Sequence, residues 1–392
     1  MAVTRRHAEM TFARWDTCSE RPKMTQPDKQ SPVDDALSIV ADRGAIDRQS
    51  LIRGAVVILA AMVVGLGFVW SFVGGLHRPT FHRVPIAVVG PPALSQKLSS
   101  GGQFDAIRVA SRQAAISRVD DHSALGGVVV GRRGIDVLVA PVAGLTVSDA
   151  LSAELPPRLH AAAPAGTPVR VLDLKPAPKN DPLGLSPFFL ALSIMIGSYI
   201  GAVFFALAFG VKPVGRRVWW RLLGVSIIGL VLALSEVGVV YAIGPLRGHY
   251  LALVLGSLLL GLSVSYITVG LQSLLGILGT TIAILVFVIL GNPSSGGPIP
   301  TPLLPGIWRT IGPYLPEGAG TEVFRNVAYF GSHNLTRPIL VMSAWLVVGI
   351  ALVIASVRVR PLGLQMKDDL DRQAASRAST GQTPRAVPPR AA

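Results

Sequence analysis

Six stretches of this chain, 54–76, 187–210, 222–244, 250–270, 272–291 and 338–357, carry no Asp, Glu, Lys or Arg apart from Glu236. Each runs for about twenty residues, the length at which a helix crosses the roughly 30 Å hydrocarbon layer of a bilayer. No water reaches that layer to satisfy a stray amide or carbonyl, so a helix, which bonds its own backbone, is the structure such runs adopt. The expectation is a mainly α membrane protein with six transmembrane helices. The run at 54–76 lies far from the first residue and is longer than the apolar core of a cleavable signal, so it reads as an anchor.

Charge supports that reading. Charged residues make up 15% of the chain, against about a quarter in soluble domains. The net charge of +14 sits beside the apolar runs, and no basic stripe with interleaved aromatics is present to track a nucleic acid. The expected partner is therefore the lipid bilayer, not nucleic acid. Lys212, Arg216, Arg217 and Arg221 crowd the loop after the second run, Arg358, Arg360 and Lys367 follow the sixth, and Arg43, Arg48 and Arg53 precede the first. Basic residues in short loops stay on the cytoplasmic side. Both termini are then cytoplasmic in the plasma membrane, with 77–185 and 292–337 outside. The chargeless junction Gly270, Leu271, Gln272 and Ser273 is read as the hinge between the fourth and fifth spans.

Between the first two spans, residues 77–185 alternate strand and helix patterns, which predicts a small α/β extracytoplasmic domain. Strands are expected at Val84–Val89, Phe104–Ala110, Gly127–Val130, Ile135–Val139 and Val169–Leu174. The third and fourth of these form a hairpin across Gly131, Arg132, Arg133 and Gly134. Helices are expected at 93–100, Arg112–Val119 and 148–162, the last capped by Ser148. Residues 1–53 form a cytoplasmic tail with an amphipathic helix near 33–52. Residues 187–357 form a five-helix region, and 358–392 a disordered basic tail. In the outer loop 292–337, the run Gly291, Asn292, Pro293, Ser294, Ser295, Gly296, Gly297 and Pro298 is expected to end the fifth helix. Two short interfacial helices, Leu303–Ile311 and Thr321–Tyr329, then bury Leu304, Ile307, Trp308, Ile311 and Phe324.

Reactive constellations are sparse. The chain has no Walker-A phosphate cradle, no His-Glu-x-x-His, no Gly-x-Ser-x-Gly and no cysteine pair, Cys18 standing alone. No catalytic, cofactor-binding or metal-ligating residue is assigned, and none of the scattered histidines forms a motif. Glu236, inside a span, must face the bundle interior, be protonated or find a partner. It is either part of a substrate or proton path or a packing contact to Ser263, Ser265 or Tyr266. Gly197 and Gly201 form a Gly-x-x-x-Gly face for close helix packing, and Ser257, Gly261 and Ser265 repeat small residues every four.

One span, an outer domain and five further spans resembles the membrane subunits of ABC-2 type exporters, closest to the YhgE/Pip-like and DUF3533-type membrane proteins. The resemblance rests on Asn292-Pro293-Ser294-Ser295-Gly296-Gly297, Leu304-Pro305-Gly306, Tyr314-Leu315-Pro316-Glu317-Gly318 and Glu322-Val323-Phe324-Arg325-Asn326. Upstream it is carried by Val84-Pro85-Ile86-Ala87-Val88-Val89 and Leu125-Gly126-Gly127-Val128-Val129-Val130. It covers roughly residues 54–358. It implies a permease that exports an unidentified substrate as a homodimer or heterodimer, driven by a separate ABC ATPase, with no catalytic residues of its own. On that likeness, 33–52 and the loop carrying Lys212, Arg216, Arg217 and Arg221 face the ATPase. The outer domain is shorter than in the large YhgE/Pip-type proteins. A scaffold or receptor-like protein of that type, without transport activity, is the alternative.

Overall fold

The structure, a computed structural model, describes residues 48–77, 79–210, 217–246 and 248–379. The chain divides into two compact units, residues 1–62 and 63–392. In the first, the described part is the opening of helix α1 (Arg48–Leu76). The expected amphipathic segment therefore lies outside the described residues up to 47, and its last residues, from Arg48, belong to α1.

In the second unit, five strands form a mixed sheet: β1 (Val84–Val89), β2 (Phe104–Arg108), β3 (Gly126–Gly131), β4 (Gly134–Val139) and β5 (Val169–Asp173). Their order is β2-β1-β3-β4-β5. β1 is parallel to both β2 and β3, β4 is antiparallel to β3, and β5 is parallel to β4. Helices α2 (Pro92–Ser99) and α3 (Arg112–Asp120) make the crossovers, and α4 (Leu145–Ala162) links β4 to β5. β1 is buried along nearly its whole length, as a central strand covered on both faces should be. Ile86, Val88, Val128, Val137, Leu151 and Leu155 fill the core beneath it. The hairpin turns on Arg132 and Arg133, with Gly131 paired to Gly134. Gly134 has φ +144°, and a Cβ there would stand 2.5 Å from the Pro168 carbonyl oxygen, so glycine is required.

One boundary in this domain differs from expectation. Helix α4 starts at Leu145, not Ser148, because Gly144, at φ +146°, turns the chain out of a 3₁₀ turn at Pro141–Ala143. Ser148 is then a buried residue of the first turns and not the cap.

Among the described residues, five helices are long and apolar enough to cross a membrane: Ser186–Phe209, Val218–Ile243, Tyr250–Leu275, Ile277–Ser294 and Thr336–Arg358. Within α1, the described stretch Ala61–Leu76 is apolar but shorter than these five. The helices of this region are α5 (Ser186–Phe209), α6 (Arg217–Ile243), α7 (Tyr250–Leu275), α8 (Ile277–Ala283), α9 (Gly306–Ile311), α10 (Pro316–Tyr329) and α11 (Thr336–Ser379). The most enclosed of the five is α7. Its Gly256 rests on Val323 and Phe324 of α10, its Gly261 on Ser198 of α5, and its Gly270 on Leu352 of α11. Small residues let backbones approach closely enough to pack where no hydrophobic driving force separates helix from lipid.

The hinge lies elsewhere than the sequence places it. Gly270, Leu271, Gln272 and Ser273 are ordinary turns of α7, and the chain breaks at Gly276, where φ is +68° and ψ −131°. A Cβ on Gly279 would lie 2.2 Å from the Leu271 carbonyl oxygen. Eight residues of continuous helix would separate those positions by about 12 Å, so the chain folds back sharply. The end of this hairpin is also irregular. α8 passes into a π-helical stretch, Ile284–Gly291, and then a short helical turn, Asn292–Ser294. The expected stop at Gly291 is passed: Gly291 and Asn292 keep helical backbone angles, and the helix runs on to Ser294.

At the other end, α11 runs on to Ser379, where composition predicts disorder from 358. Residues 362–379 are rich in Leu, Gln, Met, Lys, Arg and Ala, all good helix formers. Residues 380–392 lie outside the described residues.

Candidate functional site

The polar chemistry of the described residues concentrates where the α/β domain meets α10 and the 292–297 loop. Helix α10 is amphipathic, and its inner stripe carries Glu317, Thr321 and Arg325 at four-residue spacing, on one helix face. Arg325 is buried, and its Nη2 donates to the carbonyl oxygens of Gly296 at 3.1 Å and Gly297 at 3.3 Å. The loop is shaped to receive it. Ser294 Oγ donates to the Leu290 carbonyl at 2.5 Å, Ser295 Oγ donates to the Asn292 carbonyl at 2.7 Å, and Pro293 is buried. Gly296 turns at φ +72°, and Gly297 lies so close to the Phe188 ring that a Cβ would come within 2.2 Å of it. The expected outer-loop motif is thus an enclosed structural element.

Glu317, 1% exposed, sits in the first turn of α10 beside Gly291, where its Oε2 would lie 3.2 Å from a Cβ. Neither carboxylate oxygen has a hydrogen-bond partner among the described residues, and neither does Thr321 Oγ1. Burial pushes the Glu317 carboxyl well above the usual range, which favours the neutral acid. Glu322, one residue beyond Thr321, is also raised by burial, with Arg337 and Arg325 pulling the other way.

Five contacts tie α10 and the turn after it to the α/β domain and to α5. His122 Nδ1 lies 2.5 Å from Asn326 Oδ1, and its ring stacks on Phe330 at 4.2 Å. Asn334 Nδ2 donates to the Asp121 carbonyl at 2.7 Å. Lys175 Nζ donates to the Tyr329 carbonyl at 3.3 Å, and the Tyr329 hydroxyl donates to Asp181. Asp181 in turn accepts from the amides of Leu185 and Ser186 at 3.1 Å each, satisfying open donors at the start of α5. On the far side, Trp308 Nε1 donates to Ser71 Oγ of α1 at 3.1 Å, and Ser71 Oγ donates to the Ile289 carbonyl of the π stretch at 2.5 Å. Of the five residues expected to be buried here, Leu304, Trp308 and Phe324 are, Ile311 is half-buried and Ile307 is exposed.

The other expected residues lie apart from this seam. Glu236 is half-buried on α6 and turns to α5, where Ser193 is its hydrogen-bond partner and Gly197 makes room for Oε1. The partners weighed from sequence are engaged elsewhere. Ser265 Oγ donates to the Ser198 carbonyl, Ser263 to the Leu260 carbonyl, and Tyr266 pairs with Ser226. Gly197 and Gly201 receive Leu232 and Ile228 of α6. Lys212 and Arg216 lie outside the described residues. Arg217 opens α6, one turn earlier than the expected span at 222, and that turn carries Arg221 inward. It is 1% exposed and donates to Gln272 of α7 and to the Ala202 carbonyl of α5, so it locks three helices and does not stand in a loop.

Sequence reasoning named Arg325 and Glu317 without a role for either. Arg325 finds its acceptors 28 and 29 positions away, in backbone that carries no side-chain signal. Among the described residues no cluster of His, Cys, Asp and Glu is arranged to hold a metal ion. No family model, no curated protein and no solved structure matches this chain.

Proposed function

We propose that the chain is a plasma-membrane permease subunit of an ABC-2-like exporter. It would cross the bilayer six times with α1 as the first span, keep both termini in the cytoplasm and work as a dimer beside a separate ABC ATPase. The observation that favours transport is the seam on α10. One buried helix is bonded at once to the α/β domain through His122–Asn326, to α5 through Tyr329–Asp181, and to the loop after the π stretch through Arg325. A displacement of the bundle helices reaches the outer domain through that helix. The lack of a phosphate cradle in the sequence makes an energising partner necessary on this reading. The ATPase-facing surface then narrows to Lys212, Arg216 and Arg217, with Arg221 serving the bundle.

The test is purification of the full chain from its membrane. Stable copurification of an ATPase whose nucleotide hydrolysis falls when Lys212, Arg216 and Arg217 are replaced by Gln supports transport. Absence of any such ATPase leaves the scaffold reading. Orientation is tested separately with Ala165→Cys in a Cys18→Ser background, because Ala165 is exposed and Cys18 is the sole native cysteine. Labelling of intact cells by an impermeant maleimide supports an outer α/β domain, and labelling only after lysis inverts the map.

A further inference from the structure

The strand order β2-β1-β3-β4-β5 places a topological switch between β1 and β3, since the chain leaves β1 toward β2 on one side and returns to β3 on the other. Ligands of open α/β sheets bind outside the carboxyl ends of the strands at such a point. A cleft of about 660 Å³ lies there, at the edge where β1 and β3 end and β4 and β5 begin. That volume falls within the about 300–1,000 Å³ of small-molecule sites. A second cleft of about 420 Å³ shares Leu94, Lys97, Leu159 and Ala162 with the first, so the two form one elongated groove between α2 and the C-terminal half of α4. Among the described residues, none of α5 to α11 lines either cleft.

The lining separates by chemistry. Leu94, Val130, Ile135, Leu159 and Ala162 give an aliphatic floor, while Lys97, Arg132 and Arg133 stand exposed along it. Among the described residues, no Asp or Glu lines the groove. Among the described residues these three cations have no side-chain hydrogen bond or ion pair, whereas Arg112 and Arg158 of the same domain are paired with Asp136 and Glu154. A sugar would need carboxylate or amide side chains on the floor, and a nucleobase an aromatic face or an amide edge. The floor at the strand ends offers neither, and Thr167 there already donates to the Pro164 carbonyl. In the second cleft Gln103 is held by Arg158, and Phe104 is 2% exposed and packed against Phe81, so it presents no free ring face. An alkyl chain with an anionic head fits both halves of the lining.

We propose that this groove binds a free single-chain anionic amphiphile, its carboxylate or phosphate head at Lys97, Arg132 and Arg133 and its chain along Leu94, Leu159 and Ala162. The proposal stands whether or not the chain transports anything. It is tested on the full chain in nanodiscs of zwitterionic lipid, with a medium-chain diazirine fatty acid as probe and peptide mapping by mass spectrometry. The expected result is labelling of peptides covering 91–98 and 158–168. It should fall at least fivefold in a Lys97→Gln, Arg132→Gln, Arg133→Gln variant, while labelling of the apolar helices is unchanged. Ala162→Trp, which leaves every charge in place, should block the same labelling. Equal labelling by the matching fatty alcohol, labelling confined to the apolar helices, or no response to either variant overturns the proposal. Groove labelling only by a diacyl anionic diazirine lipid fixed in the nanodisc overturns the assignment to a free amphiphile.

Discussion

His122 and Asn326, 204 residues apart in sequence, meet with Nδ1 and Oδ1 separated by 2.5 Å. The ring is held neutral. Burial lowers its pKa to about 4, and the Arg325 charge adds to that, against smaller opposing effects of the Asn326 hydrogen bond and Asp121. Lys175, 5.5 Å over the Phe330 ring on which His122 stacks, adds a second cation nearby. In the unfolded chain the ring titrates near 6.5, so between those values the unfolded state binds more protons than the folded one. Stability from this site is complete above about 6.5 and is lost as pH falls toward about 4. Thermal unfolding of the full chain should show a lower Tm at pH 5 than at pH 7. His122→Gln should flatten that difference, and an unchanged difference would remove His122 as its source.

Arg325 clamps the loop through the Gly296 and Gly297 carbonyls, so its removal strips two buried acceptors of their partner. Hydrogen bonds from a charged donor contribute about 1.5–3 kcal/mol each, and the loop around Ser295 should loosen accordingly in Arg325→Ala. Ser295 is buried. In a Cys18→Ser background, Ser295→Cys should react slowly with maleimide in the parent and at least tenfold faster with Arg325→Ala added. Arg325→Lys should be intermediate, since one ammonium on a flexible stem replaces the guanidinium.

Glu317 gives a slope of the opposite sign. Its folded pKa lies above the ordinary carboxylate value because of burial, so the folded state holds the proton more tightly than the unfolded chain. Stability from this group is greatest below the ordinary range and declines as pH rises through the interval up to the raised value. Glu317→Gln keeps the shape and removes the ionisation. Its Tm should match the parent at pH 4 and exceed it at pH 8. Glu317→Ala should be less stable than Glu317→Gln at both, because it leaves a hole.

The strands of the α/β domain were legible because short apolar runs punctuated by glycine and proline specify them locally. Val84–Val89 and the Gly131–Gly134 turn are read from neighbours in sequence. Five of the six apolar runs are legible as long apolar helices for the same reason, their composition being a local property. What escaped depends on distance. Arg221 looked like a loop charge because nothing within a turn of it announces Gln272, 51 positions on. For Glu236 the sequence offers hydroxyls on the following helix, but its partner Ser193 lies on the preceding one. The start of α4 is not legible locally, because Ser148 carries a capping side chain and Gly144 carries only a backbone conformation.

The fold-back at Gly276 rests on two glycines that act differently, and substitution should separate them. At Gly276 the obstacle is conformational, since φ +68° with ψ −131° is a region that a side chain strongly disfavours. Left-handed backbone costs an L-residue about 1–2 kcal/mol, and more where ψ also departs from the helical value, so Gly276→Ala should fold with a lowered Tm. At Gly279 the obstacle is contact: the added Cβ meets the Leu271 carbonyl oxygen at 2.2 Å, its carbon at 2.3 Å and the Gln272 amide nitrogen at 2.6 Å. All three are backbone atoms inside a helix, so no side chain can rotate away to make room. Gly279→Ala should therefore prise α8 from α7 and break the Gln272–Thr280 hydrogen bond, 3.0 Å long. Because Gln272 also receives Arg221, the damage should reach α6. Monodisperse yield in mild detergent is the readout, with Gly279→Ala expected to fall several-fold below Gly276→Ala. Equal yields would mean that the two helices part easily and that the fold-back is not held by this contact.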